Sequence, residues 1–315
     1  MMRMLAFAAI YLCWGGTFLA IRYLVTEMPP LLSMALRCAG GAALFLLWLV
    51  LRGSLARTDA AQWRVSFLSG LFLFLGCHGI LAWAEQRVAS GEAALLMTSI
   101  PLWLVSLDAA RQRQWPARRV MLGLGLGVLG VAVLSAGGGG WSGGLADRLA
   151  LVASGFCWAI GSLIGRDGPR PRSAAQTTAM QLVTGSVALL IVSFVLGEWS
   201  AWSPAGLSSR AQLSLGFLIL GGTVAGFGAY TWLLRVSTPG AVGSYAFVNP
   251  LVAVLLAHLA GDGTVDLRTV VAMTFVLGAV MLTRDVPGPS REKDTSREPP
   301  VERGPRLVSP VSGTQ

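Results

Sequence analysis

Ten apolar runs of about 20 residues follow one another along the chain, at roughly 4–25, 31–51, 65–85, 91–110, 119–136, 148–165, 174–197, 211–233, 240–260 and 268–283. A helix of about that length crosses the hydrocarbon core of a bilayer. Hydrocarbon offers no hydrogen bonds, so the backbone N–H and C=O groups of such a run have to be satisfied inside its own helix. The expected fold is an all-α integral membrane protein with ten transmembrane helices. With 12% charged residues and a mean hydropathy of +0.65, the chain lies far from the composition of a water-soluble domain. The first run starts on a basic residue as a signal peptide does, yet it is too long for a signal core and nine further spans follow, so it reads as uncleaved.

The punctuation between runs agrees with this division. Pro29-Pro30 opens the second run, Ser90-Gly91 the fourth, Pro169 and Pro171 precede the seventh, and Pro239 precedes the ninth. The net charge of +9 comes from arginines scattered singly between apolar runs, a pattern that argues against nucleic acid as a partner. Counted over alternate loops, thirteen arginines fall on one side (3, 52, 57, 64, 111, 113, 118, 119, 166, 170, 172, 235 and 284) and five on the other (22, 87, 148, 210 and 268). Basic residues are retained in the cytoplasm, which predicts that both termini are cytoplasmic in a multi-pass cell (inner) membrane protein. Cys13, Cys38, Cys77 and Cys157 lie inside apolar runs without metal-type spacing and read as small buried side chains. No metal site, cofactor or disulfide is expected.

The two halves repeat each other. Cys13-Trp14 with Arg22 matches Cys157-Trp158 with Arg166 at an offset of 144, Arg87-Val88 matches Arg235-Val236 at 148, and Pro101 matches Pro250 at 149. Five spans per half is an odd number, so the second half enters the membrane upside down: an inverted repeat with a site at the repeat interface. The expected partition is a first five-helix repeat over 1–136, a glycine-rich linker over 137–147, a second repeat over 148–284 and a disordered cytoplasmic tail over 285–315, whose charges cancel.

Proline inside a span removes one backbone hydrogen bond and frees a carbonyl that has to face protein or a wet cavity. Pro101 and Pro250, in matching places of the two halves, therefore point to the site, with Tyr245 and Asn249 beside the second. Trp14 and Trp158 lie at mid-span in symmetric positions, where an indole N–H needs a partner; cavity lining and simple packing both account for them. Arg37 and His78 lie deep in the second and third runs, and Glu85, seven residues on from His78, shares its helix face at the outer mouth. A cavity-facing His78/Glu85 stripe and structural hydrogen bonding both remain open. Arg22, Asp108 with Arg111, Arg166, Arg235 and His258 lie near membrane faces, where snorkelling or a local ion pair suffices. Trp63, Trp115, Trp141, Trp199 and Trp202 fit interfacial aromatic belts.

Taken together, Trp14-Gly15-Gly16-Thr17-Phe18 with Arg22, Pro29-Pro30 through Arg37, Ala84-Glu85-Gln86 with Ser90-Gly91 and Pro101-Leu102, and Ser244 through Leu256 resemble the EamA-type branch of the drug/metabolite transporter superfamily over about residues 4 to 283. The resemblance implies a ten-helix inverted-repeat carrier with a central cavity, often an exporter of amino acids or other small metabolites. The chain departs from the family pattern at Gly261-Asp262-Gly263, where Gly-Glu is usual, which puts a role for that carboxylate in doubt.

The reading that follows is a secondary transporter, by the family's habit an exporter, working by alternating access on a small-molecule substrate, as a monomer or homodimer among membrane lipids. Its substrate-cavity candidates are Trp14, Arg37, His78, Glu85, Pro101, Trp158, Tyr245, Asn249 and Pro250. An enzyme is disfavoured, because no GxSxG, HExxH or paired intramembrane aspartate occurs, and no GxxxxGK[ST] loop for nucleotide is present. A non-transporting membrane subunit or a lipid or drug carrier of the same fold is the alternative.

Overall fold

The computed structural model describes residues 1–135, 143–200, 202–203, 206–259 and 267–283, all within the unit Met1–Asp285. Most of the glycine linker, the His258 side chain, Gly261-Asp262-Gly263 and the tail lie outside the described residues. Among the described residues the chain is helical throughout, with no strand: α1 (Met2–Gly15), α2 (Thr17–Val25), α3 (Pro30–Leu51), α4 (Ala60–Gly70), α5 (Ile80–Ala84), α6 (Ser90–Leu96), α7 (Ile100–Gln112), α8 (Arg118–Ser135), α9 (Leu145–Asp167), α10 (Ala174–Val195), α11 (Ser209–Phe217), α12 (Gly228–Val236), α13 (Pro239–Gly243), α14 (Tyr245–Leu259) and α15 (Leu267–Thr283). Two π-helical stretches, Leu71–Gly79 and Leu218–Phe227, join α4 to α5 and α11 to α12.

Among the described residues, seven continuous stretches are long and apolar enough to cross a membrane: Met2–Val25, Pro30–Leu51, Ala60–Ala84, Ser90–Gln112, Leu145–Asp167, Ala174–Val195 and Ser209–Val236. The fifth, ninth and tenth apolar runs are helical too, as α8, α13 with α14, and α15. Helix starts follow from the loop chemistry. Asp59, Ser173, Ser208 and Thr238 accept from backbone amides three residues on and cap α4, α10, α11 and α13. Pro30 and Pro239 occupy first-turn positions where the missing N–H costs nothing.

The burial pattern is that of a protein in hydrocarbon. Leu12, Leu47, Ile191, Phe194 and Leu220 are exposed, whereas Ser33, Ser69, Ser154, Thr178 and Ser193 are fully buried. Water would reverse this sorting; lipid permits it, because polar side chains find partners only between helices. Ser69, for example, donates to the Gly161 carbonyl at 2.7 Å and accepts from Gln181 Nε2 at 2.7 Å. In packing, α3 lies along α10 and α8 along α15; α1 contacts α14 and the second π stretch, and α9 contacts α7 and the first π stretch.

Three features of the chain differ from the sequence reading. The breaks do not fall at the prolines. The fourth run is interrupted by a 3-10 turn at Met97–Ser99, and Pro101 lies in the first turn of the new helix, while the Met97 carbonyl is taken by the Ile100 amide. The ninth is interrupted at Ser244, and Pro250 lies inside α14, where it leaves the Ala246 carbonyl without its usual donor. The Asp108/Arg111 pair is not local: Arg166 holds Asp108 at 2.6 Å and Arg111 holds Asp167 at 3.0 Å, tying α7 to α9. Arg22 does not simply snorkel, because its guanidinium donates to the backbone carbonyl of Glu85.

Candidate functional site

The first span is itself broken, at Gly16, and the break sets Trp14 and Thr17 on adjoining helix ends against the second π stretch. Trp14 Nε1 donates to the Gly222 carbonyl at 2.8 Å. Glycine is required there and one turn on: a Cβ at Gly222 would meet Thr17 and Arg37, and one at Gly226 would drive into the Trp14 indole. From the opposite helix Trp158 meets Trp14 edge-to-face, ring centres 5.4 Å apart. Its Nε1 donates to Tyr230 Oη at 2.9 Å. Ser162, one turn along α9, gives its hydroxyl hydrogen to the Trp158 carbonyl at 2.6 Å, so across the 2.7 Å contact the Tyr230 hydroxyl, which accepts from the indole, donates to Ser162 Oγ. Tyr245 closes the group, 4.6 Å from the Trp14 ring and 5.8 Å from that of Tyr230. The result is a septum of four aromatic side chains in which both indole N–H groups are satisfied, as buried indoles require.

On one side of the septum lies a cavity with about 470 Å³ of free space, its mouth included. Its walls are mostly apolar, from Phe18, Ile21, Leu81, Met97 and Ile100, and Arg37, His78, Asn249, Thr17 and Tyr245 bring polar groups among them. Arg37 is 3% exposed. Its Nε donates to Thr223 Oγ1 at 3.0 Å, Nη1 reaches only the Met34 sulfur at 3.9 Å, and no carboxylate pairs with it among the described residues. The His78 ring stacks on Phe74 and meets Trp158 edge-on, with Nδ1 lacking a partner, and Asn249 Oδ1 also lacks one. An apolar chamber with a few convergent polar groups is the usual form of a small-molecule site. On the far side of the septum, Arg166, Arg170, Gln181, Tyr230 and Arg235 line a smaller pocket of about 300 Å³.

Of the residues singled out in the sequence, Trp14, Arg37, His78, Trp158, Tyr245 and Asn249 meet around the one cavity. Pro101 and Pro250 are buried beside it and act through neighbours, since Met97 and Ala246, four residues before each, line the wall. Glu85 is not on the wall. It is 0% exposed, both carboxyl oxygens lack a hydrogen-bond partner among the described residues, and it stands at the end of α5, two turns beyond His78, where its backbone carbonyl accepts from Arg22. Tyr230, Thr223 and Ser162 were missed. The signal available for them was polarity inside an apolar run, which a count of charged residues passes over.

A profile of the EamA-like transporter family matches residues 1–136 and again 148–284. The chain belongs to this family. It is a multi-pass membrane transporter of the EamA type rather than an enzyme. The inner membrane transporter YedA of Escherichia coli (strain K12) is 30% identical over 283 residues, spanning 88% of this chain and 89% of YedA. A relative from Salmonella typhimurium named "Probable amino-acid metabolite efflux pump" is 24% identical over 282 residues, covering 85% of this chain and 90% of its own. A solved crystal structure superimposes with a TM-score of 0.71 over 89% of this chain and 95% of its own at 20% identity, a likeness of fold alone.

Proposed function

We propose that this EamA-type transporter is a ten-helix inverted repeat of the inner membrane that moves a small, carboxylate-bearing or zwitterionic solute with an apolar part by alternating access, in the direction of export. The cavity carries this reading: one buried cation, Arg37, has no carboxylate partner among the described residues, in a chamber lined mostly by apolar and aromatic side chains with His78, Thr17 and the Asn249 amide among them. A solute carboxylate supplies the missing charge, its apolar part lies against the Trp14, Trp158 and Tyr245 rings, and Asn249 takes an amine or hydroxyl donor on its unpartnered Oδ1. Small solutes and membrane lipids are the partners. The name of the Salmonella relative supports amino acids as the substrate class and efflux as the direction.

The packing supports the repeat over 1–136 and 148–284. Exchanging the halves maps α3 against α10 and α8 against α15 onto themselves, and maps the contacts of α1 with α14 and the second π stretch onto those of α9 with α7 and the first. On this reading the cavity and the smaller pocket are the two ends of one path, with the septum between them. The Arg166–Asp108 and Arg111–Asp167 pairs then close the cytoplasmic end, in keeping with the arginine bias that puts both termini in the cytoplasm. Purified protein in proteoliposomes tests it: counterflow of labelled amino acids, screened singly, is expected for at least one apolar member, and no flux of any small solute would favour a non-transporting role.

A further inference from the structure

Sequential helices α7 and α8 do not close against each other. The first packs on α9 and α13, the second on α15 and α14, and between them opens a cleft with about 1560 Å³ of free space, its open side included. That is more than three times the space of the central cavity, and it is a different place. Its floor is apolar and reaches the second core cluster through Val105 and Leu124, with Val128 on the α8 wall. At one end, where α7 stops, the chain turns through a left-handed Arg113 (φ 51) into Trp115, which is 93% exposed, and re-enters as α8 at Arg118. Around that turn Arg111 is occupied by Asp167 and Arg119 donates to the Met281 carbonyl, but Arg113 and Arg118 have no partner among the described residues.

We infer that the α7–α8 cleft is a binding site for one anionic phospholipid, with its acyl chains on Val105, Leu124 and Val128 and its phosphate at Arg113 and Arg118. In a bilayer a deep apolar cleft fills with hydrocarbon, since emptiness forfeits dispersion contacts and water finds no partners there. The charge decides the class of lipid. Arg113 in the lining of the cleft and Arg118, five positions on at the start of α8, put two guanidinium groups without a partner among the described residues at that end. They complement a phosphate ester with net negative charge, and basic pockets between membrane helices select such headgroups. Trp115 beside them suits the headgroup level, where amphipathic rings settle. A metabolite small enough for the central chamber would leave most of this volume unfilled.

Full-length protein purified in mild detergent tests the assignment by native mass spectrometry and thermal unfolding during titration with phosphatidylglycerol or phosphatidylcholine. Phosphatidylglycerol is expected to stay bound at one per chain and to raise the apparent melting temperature more than phosphatidylcholine does. The double variant Arg113→Gln with Arg118→Gln is expected to bind phosphatidylglycerol about thirtyfold more weakly, which is about 2 kcal/mol, and to lose the preference. Gly125 lines the cleft with nothing within 4 Å of where a Cβ would stand, so Gly125→Phe fills it without a clash at that point and is expected to expel the lipid. Equal stabilisation by both lipids, or binding unchanged in the arginine variant, overturns the inference. If Gly125→Phe does not fold, the arginine variant decides alone.

Discussion

Arg37→Met separates stability from transport, because the two respond to the same guanidinium with opposite sign. The cation is 3% exposed and holds one good hydrogen bond, to Thr223 Oγ1 at 3.0 Å. Removing it forfeits that bond, about 1 kcal/mol net, and leaves little orphaned, since the Thr223 hydroxyl still donates to the Leu218 carbonyl at 2.9 Å. Against this stands the cost of holding an uncompensated charge away from water, several kcal/mol, so the variant is expected to be as stable as the parent or more stable by about 1–4 kcal/mol. Binding runs the other way. A charge-assisted hydrogen bond from Arg37 to a solute carboxylate contributes about 1.5–3 kcal/mol, so the apparent affinity for such a solute falls by about 10- to 150-fold. Thermal unfolding in detergent reads the first quantity, and the concentration dependence of initial-rate counterflow at matched protein reads the second. A variant that transports with the parent's affinity removes the solute from Arg37. One that is markedly less stable means that a partner already balances the charge.

Tyr230→Phe deletes the acceptor of the Trp158 indole and the donor to Ser162, which should cost about 1–3 kcal/mol in unfolding and slow transport, whereas Ser162→Ala should cost less in both assays. Asn249→Ala and Trp14→Ala should each lower initial-rate uptake by an amount equivalent to about 1–3 kcal/mol while protein levels stay near the parent's, and wild-type rates in both would move the site elsewhere. At the loop before α11, the Ser208 hydroxyl and amide donate to the Glu27 carboxylate at 2.6 and 2.8 Å and, with Arg210 nearby, hold its carboxyl below the usual range. A lowered carboxyl stabilises the fold above the ordinary carboxylate pKa of about 4.3 and stops doing so as pH falls through the lowered value. The melting temperatures of parent and Glu27→Gln should therefore differ at neutral pH and converge under acid. Reporters fused after Arg57, Arg113 or Arg170 should read cytoplasmic and one within Gly137 to Gly144 periplasmic; a cytoplasmic signal from the latter would remove the inverted repeat.

Much of the helical layout was legible because membrane-length apolar runs and their capping residues are one-dimensional signals. The site was legible where residue type alone marks cost: a guanidinium, an imidazole and two indoles at mid-span have to be near something polar, and they converge on one cavity. What stayed hidden depends on how far along a helix the cavity reaches and on pairing between distant residues. Counting 3.6 residues per turn puts Glu85 on the His78 face, but it does not say that the cavity wall ends before Glu85. The prolines marked the right spans and the wrong residues: proline tolerates a first-turn position, so the chain breaks just before Pro101, whereas in the ninth run it breaks at Ser244, six residues ahead of Pro250, which stands inside α14. The Asp108–Arg166 and Arg111–Asp167 pairs were illegible because they join residues more than fifty positions apart, and a sequence displays only near neighbours.

The two π stretches amount to dislocations in an otherwise regular helical lattice. Each holds its hydrogen bonds with a wider ring, so the defect can glide along the helix by exchanging one bond at a time, and no stage requires an unfolded turn in lipid. Annealing one such turn to the tighter winding spins everything beyond it by about 100° around the helix axis. Gly222 and Thr223, which hold Trp14 and Arg37, ride on one of these screws, and Phe74 with His78 rides on the other. Side chains seated on such stretches can be turned as well as tilted, and Arg37 touches one of them directly through Thr223.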